Sequence, residues 1–184
     1  MKTELCIEVP VAPTFRVRWA EAPWEVEQAY RLRRTVFCDE QGIFSGDDRD
    51  VVDDVAQPLV AVLHHPDDAD NPGTVVGTVR IHESEPGVWF GSRLAVHDAF
   101  RGHSRIGATL IRLAVSSAHA LGCRRFLAHV QSQNVPLFRR LHWSVLSEET
   151  MLGRPHHLMQ ADLNHYPPCH TPCTGFIVEG RARQ

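Results

Sequence analysis

Groups able to do chemistry concentrate, in this 184-residue chain, where a strand gives way to a helix. Ser92-Arg-Leu-Ala-Val96-His-Asp-Ala-Phe-Arg101-Gly-His-Ser-Arg-Ile-Gly107-Ala-Thr-Leu110 leaves the strand residues Leu94, Ala95 and Val96. It then crosses a loop holding Arg101, Gly102, His103, Ser104 and Arg105 and enters an amphipathic helix at Ile106, Gly107 and Ala108. The first N–H groups of a helix have no intrahelical partner, so such an end is an anion site, and nearby arginines add charge. Small residues there let the backbone approach a pyrophosphate. The plainer reading is a strand–helix turn with surface arginines, because short glycine motifs misfire often. Glu83, near the end of the third strand, and His129, on the fifth, are the candidates for proton transfer, with Glu40 as a further carboxylate. An imidazole titrates in the useful range. The ordinary reading of His129 is a histidine hydrogen-bonded beside the sheet, and of Glu83 a solvated strand-end charge. Asp47, Asp48, Asp50, Asp53 and Asp54 crowd the segment 42–54, either to attract a cation or as internal salt bridges to Arg33, Arg34 or Arg80. Cys169-His-Thr-Pro-Cys173, with His165 nearby, offers soft donors. It lacks the four-ligand spacing of structural zinc and reads as a proline-bent tail, so no metal is expected.

The elements that must position these groups follow from periodicity. Phe15–Trp19 alternates apolar and basic residues as a strand does. Pro23, with Glu25 and Glu27 behind it, suits a helix start, and the helix is expected to run to about Cys38. Leu59–Leu63, Thr74–Ile81 and Val88–Val96 form a three-strand meander, with the PDDADNPG turn and Glu85-Pro-Gly87 between its members. Ile106, Leu110, Ile111, Leu113, Ala114, Ala118 and Leu121 recur at helical intervals, and Gly122 ends that helix. Arg125–Val130 is then the second strand of a right-handed βαβ unit. Asn134–Leu141 is a short helix, and Trp143–Leu146 and His157–Leu163 are the arms of a last hairpin. The expectation is an α/β protein with a mixed α+β sheet: an antiparallel meander joined to a βαβ unit, helices on both faces. Residues 1–13 read as a lead-in, 14–164 as one domain and 165–184 as a tail.

A hydrophobic fraction of 43% and a charged fraction of 22% are those of an ordinary globular domain. A net charge of -3 points to neither nucleic acid nor an anionic membrane as a partner. No apolar run approaches the ~20 residues needed to span a bilayer, and the start does not read as a secretory signal. Five cysteines, an odd number, suit free thiols in a reducing cytoplasm, so a cytoplasmic location is expected.

The segment from Val96 to Leu110 resembles motif A of the GNAT superfamily, Val-x-x-x-x-Arg-Gly-x-Gly-x-Gly-x-x-Leu, through Val96, Arg101, Gly102, Gly107 and Leu110. Counted back from Gly107, the family's middle glycine falls on Arg105 and its leading Gln/Arg on Gly102; alternatively the loop holds one extra residue. Three further stretches resemble the family in the same order. Leu32–Gly42 followed by Asp47–Asp54 is similar to the Arg-x-x-Val-Phe-x-x-Glu-Gln start of one subgroup. Asn134–Trp143 is similar to Asn-x-x-x-x-Tyr-x-x-x-Gly-Phe, and Gly153–Gln160 to the subgroup's closing strand. Together they cover about Phe15 to Leu163. The resemblance implies the GNAT acyl-CoA N-acyltransferase fold and an N-acetyltransferase that uses acetyl-CoA as co-substrate and a small-molecule amine as acceptor, with a homodimer left open. It implies that residues 101–108 hold the pyrophosphate, that backbone N–H groups at Leu94 and Val96 face the carbonyl, and that Asn134 and Phe138 lie along the cofactor. Phe138 stands where the family commonly has a proton-donating tyrosine. Acyl-homoserine-lactone synthases share the core and a similar set of arginine, phenylalanine and acids, here Arg33 or Arg34, Phe37, the acidic loop and Arg80. Their acids help hold S-adenosylmethionine, but the usual intervening tryptophan is missing and Phe44 is the only aromatic there. A non-catalytic CoA-binding module is the third reading.

Overall fold

The computed structural model describes residues 13–65, 70–102 and 105–180. The lead-in up to Val11 and Ala12, part of the PDDADNPG turn, His103, Ser104 and the last four residues of the tail lie outside the described residues.

The chain builds eight strands: β1 (Thr14–Trp19), β2 (Gln57–Leu63), β3 (Thr74–Glu85), β4 (Val88–Val96), β5 (Arg125–Gln131), β6 (Trp143–Met151), β7 (Arg154–Ala161) and β8 (Phe176–Glu179). Its helices are α1 (Pro23–Arg34), α2 (Ile106–Ala120) and α3 (Val135–Arg140). The strands form one sheet in the order β6-β7-β5-β4-β3-β2-β1-β8. All neighbours are antiparallel except β4 and β5, which α2 joins as the crossover of a βαβ unit.

Why β2 reads as an unbroken apolar run is visible in the packing. Leu59 and Ala61 point into the core under α2, while Val60 and Val62 point into a second cluster under α1. A strand covered on both faces has no polar side to alternate. The larger core joins Ile106, Leu110, Leu113 and Ala114 of α2, with Phe138 of α3, to Phe15, Ile81 and Phe126. The smaller joins Ala29, Leu32, Val36 and Phe37 to Val60, Val62, Val75 and Ala95. At Gly77 a Cβ would come within 2.7 Å of Ile106 Cγ2, so the missing side chain lets the first turn of α2 settle on β3.

Three expectations are adjusted. The first helix does not stay regular to Cys38; after Arg34 it widens into a π-helical turn, Thr35–Glu40, which carries Val36 and Phe37 inward. The last hairpin is longer and tighter than expected. Met151 pairs with Arg154, so polar residues from Ser147 to Thr150 are strand. The tail is structured where described: β8 pairs along β1, Tyr166 is buried, and the Cys169 N–H donates to the Ser116 carbonyl at the back of α2.

Candidate functional site

The site begins with a fault in β4. Between Thr78 and Arg80 of β3, the partner strand steps from Ala95 to Ser92 and so carries one extra residue. Arg93 sits in this bulge at φ 56°, a conformation uncommon for a residue with a Cβ. Tertiary partners hold it there. Its guanidinium donates to the Asp48 carbonyl and carboxylate at 2.9 and 3.0 Å and to Asp50 at 3.2 Å, and stacks over Phe44 at 4.4 Å.

The acids of the 42–54 loop are accordingly paired. Arg33 binds Asp48 at 2.8 Å and Asp53 at 2.7 Å; Arg80 binds Asp50 at 2.6 Å and Asp53 at 2.8 Å. Three guanidiniums thus face three carboxylates, with Arg33, Arg80, Asp48 and Asp53 buried and Asp50 and Arg93 at the more exposed end. Burial disfavours charge on Asp53, but the bonds from Arg33 and Arg80 outweigh it and hold its carboxyl well below the usual aspartate range. The hydrogen bond from Arg80 does the same for Asp50.

The bulge redirects β4. Its ladder with β5 covers only Val88–Phe90 against Arg125–Leu127. Beyond that the strands part, and the edge of β4 at Leu94, Ala95 and Val96 faces a slot. At the open end of the slot lies the N-terminus of α2, where Arg105 is the residue before the helix, no side chain caps it, and Gly107 lies 3.7 Å from Val96 when given a Cβ. Arg105 adopts φ −85°, ψ 20°, which any residue tolerates, so an arginine in place of the family's middle glycine is not strained. Gly102 is at φ 74°. Arg101 donates to the Val96 carbonyl and pairs with Glu40 at 2.7 Å, tying the loop to the end of the π-helical turn. The structure therefore gathers Leu94, Ala95, Val96, Arg101, Gly102, Arg105, Ile106, Gly107 and Ala108 around one end of the slot; His103 and Ser104 lie outside the described residues.

A cavity of about 450 Å³ runs through the gap between β4 and β5. On the α2 side it is lined by Ile111, Ala114, Phe126, Phe138 and Trp143, with Asn134 at the slot. Phe138 is buried edge-to-face on Trp143 at 5.0 Å and carries no exchangeable proton. On the α1 side Phe37, Ile43, Phe44, Val52, Met151 and Leu152 form the walls. The floor there is a row of three stacked rings from adjacent strands. His82 lies 6.0 Å from Phe90, and Phe90 lies 5.8 Å from His129.

Of the proton-transfer candidates, His129 lines the cavity, with its Nδ1 at 3.1 Å from Glu149. Glu83 is placed differently from the sequence expectation. Its side chain is exposed and accepts the Gly87 N–H at 2.7 Å, closing the β3–β4 turn outside the cavity residues. The reason is alternation: even-numbered residues of β3 face the cavity here, and Glu83 is odd. His82 is a site residue that sequence reasoning missed. Its Nδ1 is buried without a hydrogen-bond partner among the described residues. Burial, and then the charge of Arg80, keep its imidazole below the ordinary histidine range, hence neutral near pH 7. The available signal was the run Thr78, Arg80, His82, three polar residues on one face of a buried strand. Among the described residues no group of three His, Cys, Asp or Glu side chains is placed to hold a metal ion, and no helix is long and apolar enough to cross a membrane.

Solved structures share this architecture. A protein of Lactobacillus plantarum assigned to the N-acetyltransferases aligns at TM-score 0.69 and 25% identity, over 80% of this chain and 97% of its own. An acyl-CoA N-acyltransferase from Pseudomonas aeruginosa aligns at 0.64 and 18%, over 80% and 99%. BjaI, a CoA-dependent acyl-homoserine lactone synthase solved with SAM and isopentyl-CoA, aligns at 0.64 and 16%, over 80% and 83%. No curated protein sequence matches the chain. The model of the acetyltransferase (GNAT) family matches residues 30–143, spanning the acidic loop, the bulged strand, the open helix end and the strand beyond the slot, and the chain belongs to that family of acyltransferases.

Proposed function

We propose that this protein is an acetyl-CoA-dependent N-acetyltransferase acting on the amine of a small molecule. The observation that carries the reading is the slot between β4 and β5, which opens at a helix N-terminus that Arg105 does not cap and that Arg101 and Arg105 flank, and leads into the cavity. The chain's groups fit the co-substrate. The amides of Ile106, Gly107 and Ala108, which have no partner within the helix, and the two arginines suit the pyrophosphate. The parted edges of β4 and β5, with Asn134, suit an amide-containing arm. Bound acetyl-CoA supplies an acyl carbonyl activated as a thioester. The N–H groups along β4 at Leu94 and Val96 are the donors for the carbonyl oxygen as it gains charge. The proton shed by the amine goes to an imidazole on one or other face of Phe90, His82 or His129. With Phe138 in the tyrosine position, the departing thiolate takes its proton from that imidazolium or from water. A cytoplasmic location belongs to the same proposal, supported by free thiols at Cys38, Cys123, Cys169 and Cys173.

Thermal-shift titration tests the reading. CoA at about 100 times its Kd stabilises by roughly 2.7 kcal/mol, or roughly 5–10 °C for a chain of this size. The shift should vanish in Arg101→Ala/Arg105→Ala. No shift with millimolar CoA, or CoA binding with no thiol release on any amine, would count against an acetyltransferase.

One observation favours a second reading, transfer of a longer acyl group. The cavity continues on the α2 side along Ile111, Ala114, Phe126 and Trp143, further than an acetyl methyl needs. BjaI, similar in fold, was solved with isopentyl-CoA. Comparing kcat/KM for acetyl-CoA and isopentyl-CoA decides between the two. Use of S-adenosylmethionine has less support, because Arg33, Arg80 and Arg93 already neutralise the acids that would hold its cation.

A further inference from the structure

If the protein is an acetyltransferase, the reading on which this inference rests, the α1 side of its cavity selects the acceptor. Two kinds of partner can satisfy a ligand there, charges and surfaces. Among the described residues the charged side chains that line the cavity are Asp50, Arg80 and Arg93. None is free. Asp50 takes bonds from both nitrogens of the Arg80 fork at 2.6 and 3.0 Å, and from Arg93 at 3.2 Å. Arg80 spends its remaining donor capacity on Asp53 and on Ser92 Oγ, and Arg93 on Asp48. With Arg33 the set is three positive groups against three negative ones, so the cavity sees almost no net charge from it. A polyamine would find no unpaired carboxylate for its second ammonium, and an amino acid no unpaired guanidinium for its carboxylate. Breaking the network to supply one would leave a buried charge alone.

The surfaces are the opposite case. Phe90 is sandwiched between His82 and His129 but turns its edge and neighbourhood to the cavity, and Phe37, Ile43, Phe44 and Met151 enclose the space over it. His82 lines the same side, and burial, then the charge of Arg80, hold its imidazole neutral, so it adds a polar edge to the lining without adding a charge. Other polar groups on the lining are already engaged: Ser84 donates to the Val88 carbonyl, Gln131 to Gln41, and His156 Nδ1 lies 2.9 Å from the Arg154 carbonyl.

We propose that the acceptor is a primary amine on a compact aromatic or branched apolar body that bears no second charge, seated over the His82–Phe90–His129 row with its nitrogen at an imidazole. In the transfer, the neutral amine nitrogen forms the new bond to the acyl carbon. The carbon–sulfur bond breaks with its electron pair going to sulfur. The surplus proton passes from nitrogen to the imidazole and ends on the thiolate, giving the amide and free thiol. Aromatic and apolar amines gain from this lining what a charged one loses by leaving water.

The experiment is an initial-rate assay of thiol release from acetyl-CoA with the full chain, across phenethylamine, tryptamine, spermidine, glutamate and kanamycin, alongside calorimetric titration with CoA. The expected result is a kcat/KM for phenethylamine or tryptamine at least about 10-fold above the other three, a discrimination that buried unpaired charge readily provides. In Met151→Glu, which adds an unpaired carboxylate to the wall, the spermidine-to-phenethylamine ratio should rise about 10-fold. Preference for spermidine, glutamate or kanamycin in the wild type, an unchanged ratio in Met151→Glu, or CoA binding with turnover of none of the five amines overturns the proposal. Absence of CoA binding overturns the acetyltransferase reading instead.

Discussion

Asp53→Asn isolates the buried charge network. The carboxylate of Asp53 accepts from both terminal nitrogens of Arg33 at 2.7 and 3.0 Å, and from Arg80 at 2.8 Å. It also accepts the Asp50 N–H at 3.1 Å, which fixes the turn between them. The Asp53 side chain is 9% exposed, and those of Arg33 and Arg80 are 4% each, so water does not replace the lost partner. Asparagine keeps the shape and removes the charge, leaving three guanidiniums against two carboxylates. Breaking a buried pair from one side costs about 3–5 kcal/mol. At roughly 2–4 °C per kcal/mol for a chain of this length, Tm should fall by roughly 6–20 °C. The pH dependence has a definite sign. The folded carboxyl titrates below its unfolded value, so its stabilisation is complete above about pH 4 and is lost as pH falls from there through the folded value. The gap between wild type and variant in thermal and urea melts should therefore hold at neutral pH and narrow in acid. Asp47→Asn is the control, since Asp47 and Arg49 are both about half exposed and water screens their pair, so Tm should barely move. A loss below about 1 kcal/mol for Asp53→Asn at neutral pH would refute the claim that these ions are buried and mutually dependent.

Two other outcomes are expected. His82→Gln should lower kcat by about 10²–10⁴-fold with CoA affinity retained, if His82 rather than His129 takes the proton. In that case the acid limb of kcat/KM in the wild type lies below the ordinary histidine range, and Glu83→Gln stays within about 2-fold because its carboxylate only closes a turn. A larger loss in His129→Gln assigns the role there. Tyr166→Phe should cost about 1–3 kcal/mol in urea denaturation, because the Tyr166 hydroxyl accepts the buried Trp143 indole N–H at 3.0 Å and donates to the Leu141 carbonyl. A neutral result would mean that the tail is not part of the folded unit.

What could be read in advance depended on whether the cause was local. The register of α2 is written in Ile106, Leu110, Leu113 and Ala114, and β2 in its double-faced apolar run, because each pattern directly reports the surface it will bury. The strand–loop–helix turn before α2 was legible for the same reason: its glycine, arginines and helix start are contiguous. The bulge was not. Arg93 is neither glycine nor proline, and it takes a positive φ because Asp48 and Phe44, more than forty residues earlier, hold its guanidinium. β8 was hidden by its setting, four residues after a proline- and cysteine-rich stretch, and becomes a strand because β1 offers it an edge. His82 was within reach, since Thr78, Arg80 and His82 alternate with Val79 and Ile81, but nothing local says that this polar face meets a cavity instead of solvent.

The network and the slot belong to one arrangement. A bulge by itself is strain, of order 1–3 kcal/mol for a residue with a Cβ at positive φ. It persists because the same side chain that is strained at its backbone is anchored at its tip by Asp48 and Asp50. Those acids are kept in place by Arg33 from α1 and Arg80 from β3, so the bend in β4 is fixed by the elements on its α1 side. The bend parts β4 from β5 and leaves backbone groups along the slot without strand partners, a loss that a buried edge must recover elsewhere. On the proposed reading a ligand with its own amides recovers it, which would make the charge network a support of the binding site. The acids that face inward are neutralised by the same pairs, and under the proposal recognition of the acceptor then falls to the row of His82, Phe90 and His129.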